Sequence, residues 1–291
     1  MLKGVYTAIV TPFKMDGSID EVRFRSLIEE QIKAGVTGIL PCGTTGESPT
    51  LNHEEHNRVI EICCDQVKGR CEVMAGTGSN STAEAIFMTE HAKKAGATST
   101  LQVVPYYNKP TQKGMYEHFI KIADTVNLPV VIYNIPGRTG INLETKTLAE
   151  LAKHKNIIAV KEASGSIAQM MSVISAVPED FSVLSGDDKL TLPLIAVGGH
   201  GVVSVASNII PETMVEMVQL GLSGNIAGMR KLHYELSELF DTLFIETNPL
   251  PVKAVLALLG KVENSFRLPM CPPSDESVVI LKKLIEKYKI K

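Results

Sequence analysis

The sequence is short of cysteine, long apolar runs and charge imbalance, and each shortage removes a class of protein. Five cysteines occur: Cys42, Cys63, Cys64, Cys71 and Cys271. Their number is odd and no C-x-x-C is present, so neither a disulfide framework nor a zinc site is indicated. Cys63 and Cys64, adjacent in a helical pattern, read as small buried hydrophobes. No apolar stretch approaches the ~20 residues that a membrane-spanning helix requires. The formal net charge is -3, without a basic stripe or an acidic tail, which favours neither nucleic acid nor a membrane surface as partner. The start, Met1-Leu2-Lys3-Gly4-Val5, lacks the charged and apolar regions of a signal peptide. The expectation is a soluble, cytoplasmic protein.

The chain has 291 residues, 44% hydrophobic and 21% charged, enough to bury a large core. Short apolar runs alternate with longer helical patterns. The strand candidates are Val5–Val10, Gly38–Pro41, Glu72–Ala75, Ser99–Val104, Val130–Tyr133, Ile157–Val160, Ser182–Leu184 and Gly201–Val205. They are continuously apolar, as parallel strands covered on both faces must be. Asn52-His53-Glu54-Glu55 and Ser81-Thr82-Ala83-Glu84 read as capping boxes that open helices. Gly35, Gly96 and Gly221 follow helical patterns where a left-handed residue closes a helix. Eight strand–helix units with this rhythm predict an α/β fold, a (β/α)₈ barrel over residues 1–224. A doubly wound sheet is disfavoured, because Val10-Thr11-Pro12-Phe13 stands where its Gly-rich phosphate turn would follow the first strand. Residues 225–291 carry no strand signal. Asn225–Gly260 and Ser274–Lys291 read as helices separated by prolines, a small C-terminal helical extension.

Lys161 is the sharpest chemical signal. It ends the apolar run Ile157-Ile158-Ala159-Val160, and burial there would disfavour the ammonium and lower its pKa. A neutral amine is what attack on a ketone requires. The plainer expectation is a lysine that reaches water or pairs with Glu162. Other polar residues follow other strands: Cys42-Gly43-Thr44-Thr45-Gly46-Glu47, Pro105-Tyr106-Tyr107-Asn108, Tyr133-Asn134-Ile135-Pro136-Gly137-Arg138 and Ser185-Gly186-Asp187-Asp188. In a barrel all these strand ends open on one face, where active sites lie.

In order and spacing, Gly43-Thr44-Thr45-Gly46-Glu47, Tyr133-Asn134-x-Pro136-Gly137-Arg138-Thr139-Gly140 and Val160-Lys161-Glu162 resemble the pyruvate-dependent lyase and aldolase family. Thr11-Pro12-Phe13, Pro105-Tyr106-Tyr107, Ser185-Gly186-Asp187 and Asn248-Pro249-x-Pro251-Val252-Lys253 extend the likeness over essentially the whole chain. Within that family the dihydrodipicolinate synthase branch fits best. The resemblance implies a lyase that condenses pyruvate with L-aspartate 4-semialdehyde, the committed step of lysine and diaminopimelate biosynthesis. Lys161 would form the imine; Tyr133, Thr44 and Tyr107 would form a proton relay, Tyr107 being lent by a neighbouring subunit. Thr45 would hold the pyruvate carboxylate, helped by backbone near Val203 and Gly186. Arg138 would hold the carboxylate of the second substrate. The covalent imine would stand in place of any cofactor or metal, and the assembly would be a homo-oligomer, a dimer of dimers.

The resemblance also implies inhibition by L-lysine at an interface pocket matching Ser48, His53, His56, Asn80, Glu84 and Tyr106. Pro49 stands where Ala is more usual, which predicts an altered pocket rim. The plainer expectation for the histidines is ordinary helix surface. His53-Glu54-Glu55-His56 lacks the H-E-x-x-H spacing of a zinc helix, and Gly76-Thr77-Gly78-Ser79-Asn80-Ser81 lacks the third glycine of a dinucleotide turn. Met170-Met171, Met214 and Met217 read as core. Two other functions compete. N-acetylneuraminate lyases and 2-keto-3-deoxy sugar-acid aldolases share the Lys and Tyr but usually lack Arg at the position of Arg138. A catalytically inactive barrel acting as a binding module would not need Lys161, Tyr133, Thr44 and Tyr107 together.

Overall fold

The computed structural model describes all 291 residues. Eight parallel strands close in sequential order into a barrel: β1 (Gly4–Ala8), β2 (Gly38–Leu40), β3 (Glu72–Gly76), β4 (Ser99–Val103), β5 (Val130–Asn134), β6 (Ile157–Glu162), β7 (Ser182–Ser185) and β8 (Gly201–Ser204). β8 pairs back onto β1, with Val202 opposite Val5. The helices around the barrel are α1 (Glu21–Lys33), α2 (His53–Val67), α3 (Thr82–Ala95), α4 (Gln112–Thr125), α5 (Pro136–Thr139), α6 (Thr145–Leu151), α7 (Ile167–Ala176), α8 (Thr191–Ala196) and α9 (Pro211–Leu222). This is the (β/α)₈ architecture that the strand–helix rhythm predicts.

The continuous apolarity of the strands has a direct cause, since side chains alternate between two buried faces. Inside the barrel, Tyr6, Leu40, Met74, Leu101, Val131, Tyr133, Ala159, Leu184 and Val203 belong to one cluster. Outside, Val130, Ile132, Val160 and Val183 pack with the helices. The alternation decides where the polar end of β6 points. Ala159 faces in and Val160 faces out, so Lys161 enters the barrel and Glu162 leaves it.

β6 extends two residues further than the apolar run, because Lys161 and Glu162 continue the ladder opposite Tyr133 and Asn134. Asn52 and Glu55 make the reciprocal capping box of α2. Ser81 caps α3 through the Glu84 amide, but the Glu84 carboxylate turns to His53 and Ser79 instead of returning to the cap. Gly35 and Gly96 take positive φ as predicted. Gly221 does not; it lies inside α9, where a Cβ would come within 2.4 Å of Met229 Sδ, and Gly224 supplies the left-handed residue.

After Gly224 the chain forms α10 (Ile226–Glu235), α11 (Ser237–Thr242), α12 (Leu250–Leu258) and α13 (Asp275–Tyr288). The helical stretch expected over 225–260 is therefore three helices. The break before α12 carries Asn248 and Pro249 back to the barrel, where Asn248 meets Thr45. These helices share one apolar cluster with α1 and α2: Phe240, Val252, Leu281 and Leu284 pack with Phe24, Ile28, Val59 and Cys63. A buried ion pair joins the two parts as well. Lys253 and Glu47 are both fully buried and hydrogen-bonded, and the ammonium lies 4.2 Å from the Phe13 ring centroid. No helix is long and apolar enough to cross a membrane.

Candidate active site

Lys161 is 6% exposed and its Nζ stands 4.0 Å from the centroid of the Tyr133 ring. The two residues face each other across adjacent strands. Burial pulls the Lys161 pKa from an ordinary 10.5 down to about 7; Asp188 opposes that pull and Arg138 adds to it. Glu162 is not its partner. That carboxylate faces outward and accepts from Asn134 Nδ2, Gln169 Nε2 and the Ser164 amide. Its lone pairs are filled by neutral donors, and the lysine is left without a salt bridge.

Burial pushes the Tyr133 hydroxyl up to about 12, with Arg138 and a hydrogen bond from Thr44 pulling the other way. A phenol held protonated beside a neutral amine can give and take a proton without net charge build-up. Gly186 completes the wall, since a Cβ there would lie 3.1 Å from Lys161 Cε. Thr45, 2% exposed, accepts at Oγ1 from Asn248 Nδ2 at 3.0 Å. Val203 is buried inside the barrel. Arg138 is exposed on α5 and its Nη2 donates to the Asn248 carbonyl at 3.1 Å.

Thr44, Tyr133 and Arg138 line a cavity of about 410 Å³ that also reaches Ser48, His53, His56, Glu84 and Tyr106. Thr44, Tyr133 and Arg138 thus share one cavity with most of the regulatory candidates, while Lys161 stands behind the Tyr133 ring and, with Thr45, Gly186 and Val203, is not part of the lining. Asn80 lies outside its lining, and donates to the Tyr106 carbonyl at 3.2 Å. Tyr107 is also outside it: the side chain is 89% exposed on a residue with φ of +68°. The histidines differ from each other. His53 sits on the surface and bonds Glu84 at 2.8 Å. His56 is buried, bonds the Gly76 carbonyl at 2.9 Å, and burial lowers its pKa. Ordinary helix surface therefore describes only His53. Ser79 first, then His53, hold the Glu84 carboxyl below its usual range.

Two site residues were not assigned a role from sequence. Asp188 is buried, accepts from the Val205 and Ala206 amides at 2.9 Å each, and leaves Oδ1 unpartnered. Burial raises its pKa to about 6. The only available signal was its place in Ser185-Gly186-Asp187-Asp188. Asn248 belongs to a quoted motif, but its side-chain partner Thr45 lies about two hundred residues away and its backbone partner Arg138 more than a hundred. No group of three or more His, Cys, Asp or Glu side chains is placed to hold a metal ion. The glycine turn after β3 is tight packing: a Cβ on Gly76 would meet the Cys42 carbonyl at 2.3 Å, and one on Gly78 the Val103 amide at 2.3 Å.

The sequence model of the Dihydrodipicolinate synthetase family matches residues 1–288. The chain belongs to this family. It is 54% identical over 289 residues to a 4-hydroxy-tetrahydrodipicolinate synthase of Endomicrobium trichonymphae, covering 99% of each chain. Among solved structures, dihydrodipicolinate synthase from Aquifex aeolicus superposes with a TM-score of 0.98 at 46% identity, covering 99% of both chains. The Cyanidioschyzon merolae enzyme, solved with lysine bound, superposes at 0.96 and 42% identity, covering 99% of this chain and 98% of that one. Family membership agrees with the resemblance carried by the strand-end motifs.

Proposed function

We propose that this chain is a 4-hydroxy-tetrahydrodipicolinate synthase that condenses pyruvate with L-aspartate 4-semialdehyde. The observation that carries the reading is a buried lysine with its pKa near 7, free of any salt bridge and set against a protonated tyrosine. The Lys161 amine attacks the pyruvate ketone, and water leaves with a proton delivered through Tyr133. The resulting iminium draws electrons from the methyl carbon, whose proton is lost to give an enamine. The enamine carbon bonds to the aldehyde carbon, whose oxygen takes up a proton. The amine of the second substrate then displaces Lys161 from the imine carbon and closes the ring. The chain's own tasks are to hold two carboxylates and to move protons.

In this reading Thr45 holds the pyruvate carboxylate, with backbone near Gly186 and Val203, and Arg138 holds the carboxylate of the semialdehyde. A guanidinium fork suits that anion and does not suit the polyol of a sugar-acid aldolase. No cofactor is needed, since the imine itself is the electron sink. Exposed Tyr107 serves the site of a second subunit, which makes at least a dimer the active unit. Its exposed sequence neighbour Tyr106 adds apolar surface for that contact. Glu84, His53, His56, Ser48 and Tyr106, joined by Asn80, receive L-lysine as inhibitor; the carboxylate of Glu84 meets an ammonium. The Cyanidioschyzon merolae relative with lysine bound supports this. The deciding experiment is borohydride reduction with pyruvate present, followed by mass mapping. A pyruvyl adduct on Lys161 is expected; labelling of Lys109 or Lys189 alone would overturn the assignment.

A further inference from the structure

The residue that meets both substrate-holding groups comes from outside the barrel. Asn248 lies just before α12, is 5% exposed, and touches Thr45 and Arg138 with different atoms. Its side-chain Nδ2 donates to Thr45 Oγ1 at 3.0 Å, and its backbone carbonyl accepts from Arg138 Nη2 at 3.1 Å. Oδ1 of the same side chain is buried without a partner.

We propose that Asn248 is a positioning residue whose side-chain amide fixes the direction in which the Thr45 hydroxyl donates. The inference rests on the reading of Thr45 as holder of the pyruvate carboxylate. A threonine hydroxyl has one proton to give and two lone pairs to fill. Left to itself, it can donate to any nearby carbonyl, and its proton is then lost to a ligand. Here one lone pair is filled by an amide N–H, and the hydroxyl makes no other hydrogen bond in the chain. Its proton is free for an anion. Donation into Oγ1 also polarises the O–H, which strengthens the bond that it gives. The opposite amide orientation would make Thr45 the donor to Asn248 and leave nothing for a carboxylate. The two orientations therefore predict opposite chemistry for an isosteric acid at this position.

The division between side chain and backbone separates the two subsites. Arg138 leans on a carbonyl that every substitution at 248 retains. Thr45 leans on the amide alone. Loss of the amide should therefore act on pyruvate and spare the semialdehyde, whereas a general loosening of the extension would weaken both.

The test measures borohydride-trapped pyruvyl adduct against pyruvate concentration, and semialdehyde KM at saturating pyruvate, in the full-length enzyme. Asn248→Ala should raise the half-saturating pyruvate concentration about tenfold, the loss of one neutral hydrogen bond. Asn248→Asp should raise it further, about a hundredfold, because a carboxylate can only accept from Thr45 and also repels the ligand. The semialdehyde KM should change less than about threefold in both. In a Thr45→Val background, Asn248→Ala should add nothing, since its route runs through Thr45. Unchanged pyruvate dependence in Asn248→Asp, equal losses for both substrates, or additive effects in the double variant would overturn the proposal. The aspartate variant carries the test alone if the alanine variant does not fold. A wild-type enzyme that forms no adduct on Lys161 would overturn the functional reading itself, and this proposal with it.

Discussion

Replacing Lys161 by methionine should abolish imine formation and stabilise the protein, and the two effects share one cause. The native state lowers the lysine pKa from 10.5 to about 7, chiefly by burial. That depression corresponds to about 5 kcal/mol at most, carried by the native state at acid pH. Methionine keeps most of the apolar stem in contact with the barrel interior and removes the charge. Allowing for relaxation around the buried amine, we expect a gain of at least about 2 kcal/mol at pH 6.5, or several °C in Tm. The sign follows from proton binding. Between about pH 7 and 10.5 the unfolded lysine is protonated and the folded one is not, so wild-type stability rises with pH across that window. The advantage of Lys161→Met should accordingly be greatest below pH 7 and shrink as the pH approaches 10.

The same shift sets the pH dependence of chemistry. At pH 8 a lysine at its ordinary pKa is neutral in about 0.3% of molecules, and one near 7 in about 90%. Trapping of the pyruvyl adduct should therefore rise about tenfold per pH unit below 7 and level off near pH 8. Denaturant melts of both proteins at pH 6.5 and 9.5, with adduct yield against pH, check the two halves. The reasoning is refuted if wild type is the more stable protein at pH 6.5, or if trapping keeps climbing steeply to pH 10.

Arg138→Ala should raise the semialdehyde KM by about thirtyfold or more, a loss of about 2–5 kcal/mol, while adduct yield with pyruvate alone changes little; good turnover of neutral sugars would favour a sugar-acid aldolase instead. Mixing inactive Tyr107→Phe chains with inactive Lys161→Ala chains should restore part of the activity, because one hybrid site keeps its Lys161 and receives an intact Tyr107. Silence after proven subunit exchange would exclude the shared relay. Millimolar L-lysine should inhibit wild type in a manner not simply competitive with pyruvate, and Glu84→Ala should remove most of that inhibition with turnover nearly intact; calorimetry showing no lysine binding would refute it. Glu84 is the better probe than His56, whose buried ring satisfies the Gly76 carbonyl. Glu47→Gln, which leaves the Lys253 ammonium buried without its counter-charge, should cost about 3 kcal/mol, and adding Lys253→Met should recover part of it; a single variant that melts within about 1 kcal/mol of wild type would refute the clasp.

The barrel was legible from residue types alone, because strands buried on both faces must be apolar at every position and the helices between them start at Asn52, Ser81 and other short polar caps. Lys161 was legible as a candidate from its place at the end of such a run, but a lysine that reached water or paired with Glu162 fitted the same position, and only the structure decides between them. Its neighbours were legible as a set through the resemblance, but the grouping depended on closure. A one-residue alternation on β6 sends Lys161 inward and Glu162 outward, and only the ladder with β5 shows which of the two meets Tyr133. Local patterns also could not separate Gly221 from Gly224, because the packing of Met229 on α9 decides which of them lacks room for a Cβ. The roles of Asp188 and Asn248, and the pairing of Glu47 with Lys253, were closed to sequence reasoning for one reason. Asn248 and Lys253 meet Thr45 and Glu47 across about two hundred residues, and Asp188 meets amides that follow the next strand; hydrogen bonds between separate elements leave no periodicity or spacing to read. Sequence fixes what each strand must bury; the closed barrel alone decides which polar groups are left facing one another inside it.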